Sequence, residues 1–225
     1  MKLLVDIGNT STKMALADNG RFELIEASCI PSGVSDAWVS VSGDASIIDP
    51  LVAQGIAVHR LSAHSNLPIT IDYATPDTLG PDRIAAACAA WALCRKACVV
   101  IDAGTCITID YVDASGTFSG GAILPGICMR NKAMHNFTSR LPLIKIDNRN
   151  LVYTGKSTDD SLWAGIATAT KFEIEGFVSY YRQHKGVGHV YVTGGDADLV
   201  ASWTDAECVQ DMVLKGLLQV SNRES

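Results

Sequence analysis

The 225-residue sequence has no run of basic residues, no apolar stretch approaching the ~20 residues that cross a bilayer, and no C-x-x-C pair. Each absence removes a class of function. With a net charge of −6 and no basic patch, the chain is not expected to partner nucleic acid or an anionic membrane. Met1-Lys2-Leu3-Leu4-Val5 opens like a secretion signal, but Asp6 interrupts it before an apolar core develops, so a cytoplasmic location is expected. Seven cysteines, at 29, 88, 94, 98, 106, 128 and 208, are odd in number and unpaired in spacing. They are expected to be reduced, buried small hydrophobes rather than disulfides or zinc ligands. His59 and His64 have no ligand-like spacing either.

What is present is a composition 48% hydrophobic and 19% charged, enough apolar material for a sizeable core in one large or two small domains. An internal repeat favours two. Val99-Val100-Ile101-Asp102 falls on Leu3-Leu4-Val5-Asp6 at an offset of 96 positions, and the same offset lays Gly104 on Gly8, Gly116 on Gly20 and Phe118 on Phe22. In each copy a short run of strand formers ends at an Asp, a Gly and a Thr follow in a tight turn, and a second apolar segment leads to a glycine turn. One explanation is a pair of ordinary hairpins. The other is a pair of phosphate-gripping loops, because glycine lets backbone N–H groups approach a ligand and Thr hydroxyls complete a concave donor surface.

Between the copies, strands are expected at 38–43 and 57–61, with a short helix from Ile47 to Gly55. A proline-broken loop over 68–83 then opens a helix running to Ala97, with Pro81 in its first turn. Asp82 there could simply complement the helix dipole. Arg83 has no such explanation, because a cation at a helix N-terminus is mildly unfavourable. Beyond the second loop, strands are expected at 98–103, 106–112 and 117–123. Gly120 to Gly126 is either a ligand-facing wall or packing glycine, and Ile127 to Arg140 reads as helix. Ser157 caps a long helix to about His184, whose internal Gly165 and Gly176 suggest a helix or subunit contact. A strand at 190–196 and an amphipathic helix from Ala206 to Val220 close the chain, the latter expected to cover the second sheet.

Taken in order, Asp6-Ile7-Gly8-Asn9-Thr10-Ser11-Thr12-Lys13, Gly80-Pro81-Asp82-Arg83, Asp102-Ala103-Gly104-Thr105 and Gly120-Gly121-Ala122-Ile123-Leu124-Pro125-Gly126 resemble the successive signatures of type III pantothenate kinases. These enzymes belong to the actin/hexokinase/Hsp70-like superfamily of phosphotransferases, and the likeness covers nearly the whole chain. It implies a duplicated ribonuclease H-like, actin-like ATPase fold. Two mixed-sheet α/β domains, 1–97 and 98–225, each with five strands, would hold the site in the cleft between them. By the same resemblance the run Asp6 to Lys13 and Thr105 bind ATP, and Asp6 holds Mg²⁺ through water, since that small hard cation keeps much of its hydration. Asp82 is the proton acceptor. Tyr73, Gly80, Pro81, Asp82, Arg83 and Thr158 bind pantothenate, and Asp102 ligates K⁺ or NH₄⁺. Cys106 stands where many members have Ala, a small-for-small exchange.

The activity so implied is ATP-dependent phosphorylation of pantothenate to 4′-phosphopantothenate, in a homodimer, with MgATP and a monovalent cation. Two alternatives share the fold: a kinase of a sugar or other small alcohol, and a non-catalytic nucleotide-binding regulator.

Overall fold

The computed structural model describes residues 1–26 and 28–223. Along the chain run β1 (Lys2–Ile7), β2 (Thr12–Asp18), β3 (Arg21–Ile25), β4 (Asp36–Val41), α1 (Ile48–Ala53), β5 (Ala57–Arg60), β6 (Thr70–Ile71), α2 (Pro81–Cys94), β7 (Cys98–Ala103), β8 (Cys106–Val112) and β9 (Thr117–Pro125). There follow α3 (Ile127–Asn136), α4 (Thr158–Trp163), α5 (Ala169–Lys185), β10 (His189–Thr193), α6 (Ala197–Ala201), β11 (Glu207–Cys208) and α7 (Met212–Ser221). Ala27 lies outside the described residues, and the expected burial of the cysteines holds for Cys88 and Cys98 but not for Cys29, Cys106, Cys128 and Cys208, which lie exposed at or beside loops and strand or helix ends. Two compact units emerge: one of Met1–Lys96, Val112–Gly120 and Asp211–Ser225, the other of Ala97–Tyr111 and Gly121–Gln210. The units are thus discontinuous in sequence, with segments 112–120 and 211–225 joining the first.

In the first unit the sheet order is β3-β2-β1-β4-β5. β1 runs antiparallel to β2 and parallel to β4, which makes the sheet mixed. Alternation does the sorting. Leu3, Val5 and Ile7 face one core with Met14, Ala37, Val39, Ile48 and Leu51, while α2 and α7 pack on the opposite face. Asn19 (φ 49°) and Gly20 (φ 78°) form the left-handed pair that a two-residue hairpin favours, joining β2 to β3.

The closing helix corrects an expectation. Rather than covering the second sheet, α7 packs on α2, β1, β2 and β4. The cause lies in small residues. A Cβ at Gly216 would sit 1.9 Å from the Ala85 carbonyl oxygen, so only glycine lets α7 lie against the alanine-rich α2, whose residues Arg83 to Ala90 are all buried.

In the second unit the neighbours β11-β10-β7-β8-β9 repeat the order of the first sheet, with β10 parallel to both β7 and β11. The full sheet has six strands rather than five, because β6 pairs with Thr117 and Phe118 at the start of β9. Two residues give no periodicity, so the sequence held no signal for β6. The core gathers Val99, Ile101, Ile107, Ile109, Trp163 and Ile166. The expected long helix exists as α4 and α5 joined through a wider π turn, Ala164–Thr168, with Ser157 Oγ accepting from Asp160 N at its start and Gly186 (φ 64°) closing it. α3 ends at Asn136, short of the expected Arg140.

Gly216→Ala is expected to lower unfolding free energy by about 2 kcal/mol, since the added methyl must push two helix backbones apart. Denaturant melts check this, and an unchanged midpoint would contradict the packing described.

Candidate active site

In the first unit the β1–β2 loop is built by backbone. Gly8 N donates to Ser11 O (3.0 Å), and Ile7 O accepts from Ser42 N (2.8 Å) and Gly43 N (3.0 Å). A Cβ at Gly43 would lie 2.2 Å from Gly8 O, so the chain after β4 can support the loop only as glycine. Asn9, Thr10 and Ser11 stay exposed. Strand register then sets a row of side chains: Asp6 pairs with Lys13 on β2 and with Ser40 on β4. Ser40 is fully buried and its hydroxyl has no hydrogen-bond partner. Lys13 Nζ pairs with Asp211 Oδ1 at 2.7 Å.

The same unit assembles a second group of residues. Gly80 caps α2, Pro81 occupies its first turn, and Asp82 Oδ1 accepts from Arg83 N (2.9 Å). A Cβ on Gly80 would come within 2.5 Å of that Asp82 oxygen. Arg83 is 7% exposed, a buried cation whose guanidinium lies 5.8 Å from the ring centres of both Tyr73 and Phe118. Such stacking offsets part of the desolvation cost, by about 0.5–2 kcal/mol per ring. Tyr73 also meets Gly120 (φ 80°), where a Cβ would fall 3.1 Å from the ring. Tyr73, Gly80, Pro81, Asp82 and Arg83 are therefore one cluster.

Asp102, Thr105 and Thr158 belong to the second unit. There Gly104 N donates to Cys106 O (2.9 Å), and Gly126 supports the loop: a Cβ on it would stand 2.2 Å from Gly104 O and 2.4 Å from Thr105 O. Asp102 registers with Thr193 on β10 as Asp6 does with Ser40 on β4. The repeat thus extends to the hydroxyl beside each aspartate. A Cβ on Gly194 would lie 2.5 Å from Asp102 Oδ1, and Asp196 N donates to Ala103 O (2.9 Å). Burial pushes the Asp196 carboxyl above its ordinary range. Thr158 has a separate setting at the first residue of α4, on an open depression lined also by Leu141, Gly155, Lys156, Ser157, Ser161 and Leu162.

Residues 32–180 match the family model of type III pantothenate kinases. Type III pantothenate kinases of Bacteroides fragilis strain YCH46 and Cytophaga hutchinsonii are 37% and 36% identical to this chain, over 99% and 88% of it and 98% and 88% of their own lengths. The chain belongs to the type III pantothenate kinase family. A solved structure from Campylobacter jejuni, named for the Baf family of transcriptional activators, superposes with a TM-score of 0.68 at 22% identity, covering 99% of this chain and 98% of its own. Component A of the (R)-2-hydroxyglutaryl-CoA dehydratase of Acidaminococcus fermentans does so at 0.52 and 12% identity, covering 100% and 99%. At such identities the likeness speaks for the fold, that of actin-like ATPases and sugar kinases.

Against this family background, several contributors escaped the sequence reading. Ser40, Gly43, Phe118 and Asp211 each stand beside a residue far along the chain, Asp6, Gly8, Arg83 and Lys13 in turn, brought there by strand register or helix docking. Only the Ser-Gly step after β4 carried a local hint, as a turn.

Gly43→Ala is expected to displace the loop at residues 8–11 and speed amide exchange at Gly8, whose N–H the loop closes. Exchange at Gly8 unchanged from the parent would contradict this role for Gly43.

Proposed function

We propose that this chain transfers the γ-phosphoryl group of ATP to the primary hydroxyl of pantothenate, yielding 4′-phosphopantothenate and ADP, the first step of coenzyme A synthesis. Its family membership supports the kinase reaction. The observation that carries the assignment of residues is the Asp82–Arg83 pair at the start of α2, with the buried guanidinium against the rings of Tyr73 and Phe118. A buried Arg offers a fixed fork of donors to a carboxylate, which pantothenate carries and a neutral sugar does not.

In this reading Tyr73 and Gly80 to Arg83 hold the acceptor. The hydroxyl oxygen forms the new bond to phosphorus as the bond to the β–γ bridging oxygen breaks, and the hydroxyl proton passes to Asp82. The transition state is loose, so Asp82 acts mainly by aligning the hydroxyl and need not be a strong base. Its bond from Arg83 N fixes the carboxylate for that task. Asn9 to Lys13 and the loop amides would contact nucleotide phosphates, and Thr105 would contact ATP.

Asp6 suits a hydrated Mg²⁺: among the described residues no three His, Cys, Asp or Glu side chains gather as a metal site, so one carboxylate, water and nucleotide oxygens would complete the shell. The unpartnered Ser40 hydroxyl at the register position beside Asp6 fits such a hydrated environment. Mg²⁺ would neutralise phosphate charge as it develops. Asp102 would hold K⁺ or NH₄⁺, and Thr158 would contact pantothenate. A homodimer is supported by α5, where a Cβ at Gly176 would meet nothing within 4 Å and Phe172 and Tyr180 are exposed. No described helix is long and apolar enough to cross a membrane, and we place the enzyme in the cytoplasm.

Asp82→Asn is expected to lower turnover about 10²–10⁴-fold, read as pantothenate-dependent ADP release, with wild-type release lost when Na⁺ replaces K⁺. Full turnover in the variant would remove Asp82 from this role, and release indifferent to K⁺ would remove the cation from Asp102.

A further inference from the structure

We propose that Asp211 is a positioning residue for phosphoryl transfer, holding the Lys13 ammonium in place beside Asp6 for the phosphates of ATP; this rests on the nucleotide-binding reading of residues 6–13. Lys13 sits opposite Asp6 in the β1–β2 register, so both side chains leave the same face of the sheet. A lysine there is a point charge on a flexible four-carbon stem, which loses rotamer freedom on binding unless something orders it beforehand. Asp211 supplies that order across 198 positions of sequence, with Oδ1 2.7 Å from Nζ. The lysine side chain remains 41% exposed and the carboxylate only 16%, so the ammonium keeps an open side. With three donors it can bind a phosphate oxygen without releasing Asp211.

The local structure of Asp211 supports a role outside its own helix. It is the residue before α7, where an Asp ordinarily accepts from an amide of the first turn and so stabilises the helix by about 1 kcal/mol. Here it makes no such cap bond. Its backbone is left-handed (φ 57°, ψ 39°), a conformation costly to most residues and one that Asp tolerates comparatively well. The carboxylate is directed to Lys13 instead. The same helix, through Gly216, seats α2, whose first turn carries Asp82 and Arg83. One helix therefore fixes the proposed phosphate cation at its start and supports the proposed acceptor cluster along its length.

The test is a double-mutant cycle of Lys13→Met and Asp211→Asn in the full chain, reading KM for MgATP, KM for pantothenate, kcat and melting temperature. Asn keeps the shape and tolerates the left-handed backbone, so the fold should persist. Asp211→Asn is expected to raise KM for MgATP about tenfold, the worth of one charge-assisted hydrogen bond, with KM for pantothenate little changed. Asp211→Glu should recover part of the loss. The double variant should bind MgATP no worse than Lys13→Met alone. Additive effects, a lowered melting temperature with KM for MgATP unchanged, or tighter MgATP in Asp211→Asn would each overturn the proposal, the last by making Asp211 a competitor of phosphate. If Lys13→Met itself leaves KM for MgATP unaltered, the nucleotide reading of the loop falls and this inference with it; if only Asp211→Asn does so, the inference alone falls.

Discussion

In the first unit, the residues proposed for the nucleotide side depend on one backbone ladder, the pairing of β1 with β2 and β4. Its register places Asp6 beside Lys13 on one side and Ser40 on the other, and its end delivers Ile7 O to the amides of Ser42 and Gly43. A slip of β1 by one residue would send Asp6 to the opposite face and out of the row. Leu3, Val5 and Ile7 forbid that slip because they are already committed to the core. The hydrophobic pattern therefore fixes the polar row without any polar interaction having to specify it. The β7–β10 pairing repeats the device, with Asp102 beside Thr193.

The acceptor side depends on a different force, the close packing of two helices. α2 is so rich in alanine that it offers little side-chain volume, and α7 can approach it only because Gly216 meets the Ala85 carbonyl. That contact buries the helix whose first turn holds Arg83, and burial is what gives the guanidinium its aromatic surroundings rather than water. A buried cation of this kind is costly to maintain in a purely structural role. Its place in a cluster with Asp82 and Tyr73 is what a recognition site for a small anionic alcohol needs.

Much of this was legible in the sequence because it is local. The two Asp-x-Gly loops, the Pro81 helix start, the Ser157 cap and most strand positions rest on short-range chemistry, and they stand where that chemistry put them. Even the five-strand order of the repeat follows from the duplication. What could not be read was long-range. The second sheet's sixth strand is two residues long, the docking of α7 on the first unit depends on one glycine among many, and Asp211 reaches Lys13 only after the chain has folded back. An αL aspartate before a helix has no signature that separates it from an ordinary cap. Ser40 reads as any strand serine until its register with Asp6 is known.

If the Tyr73–Arg83 cluster receives the phosphoryl acceptor, the enzyme should choose pantothenate over neutral alcohols. The most direct measurement offers the enzyme MgATP in K⁺ buffer with equal amounts of pantothenate, glucose, N-acetylmannosamine and glycerol, and identifies every new phosphate ester by ³¹P NMR and mass spectrometry. A single new ester is expected, on the primary hydroxyl of pantothenate. An ester on a sugar or on glycerol, or ATP bound with no ester formed, would contradict it.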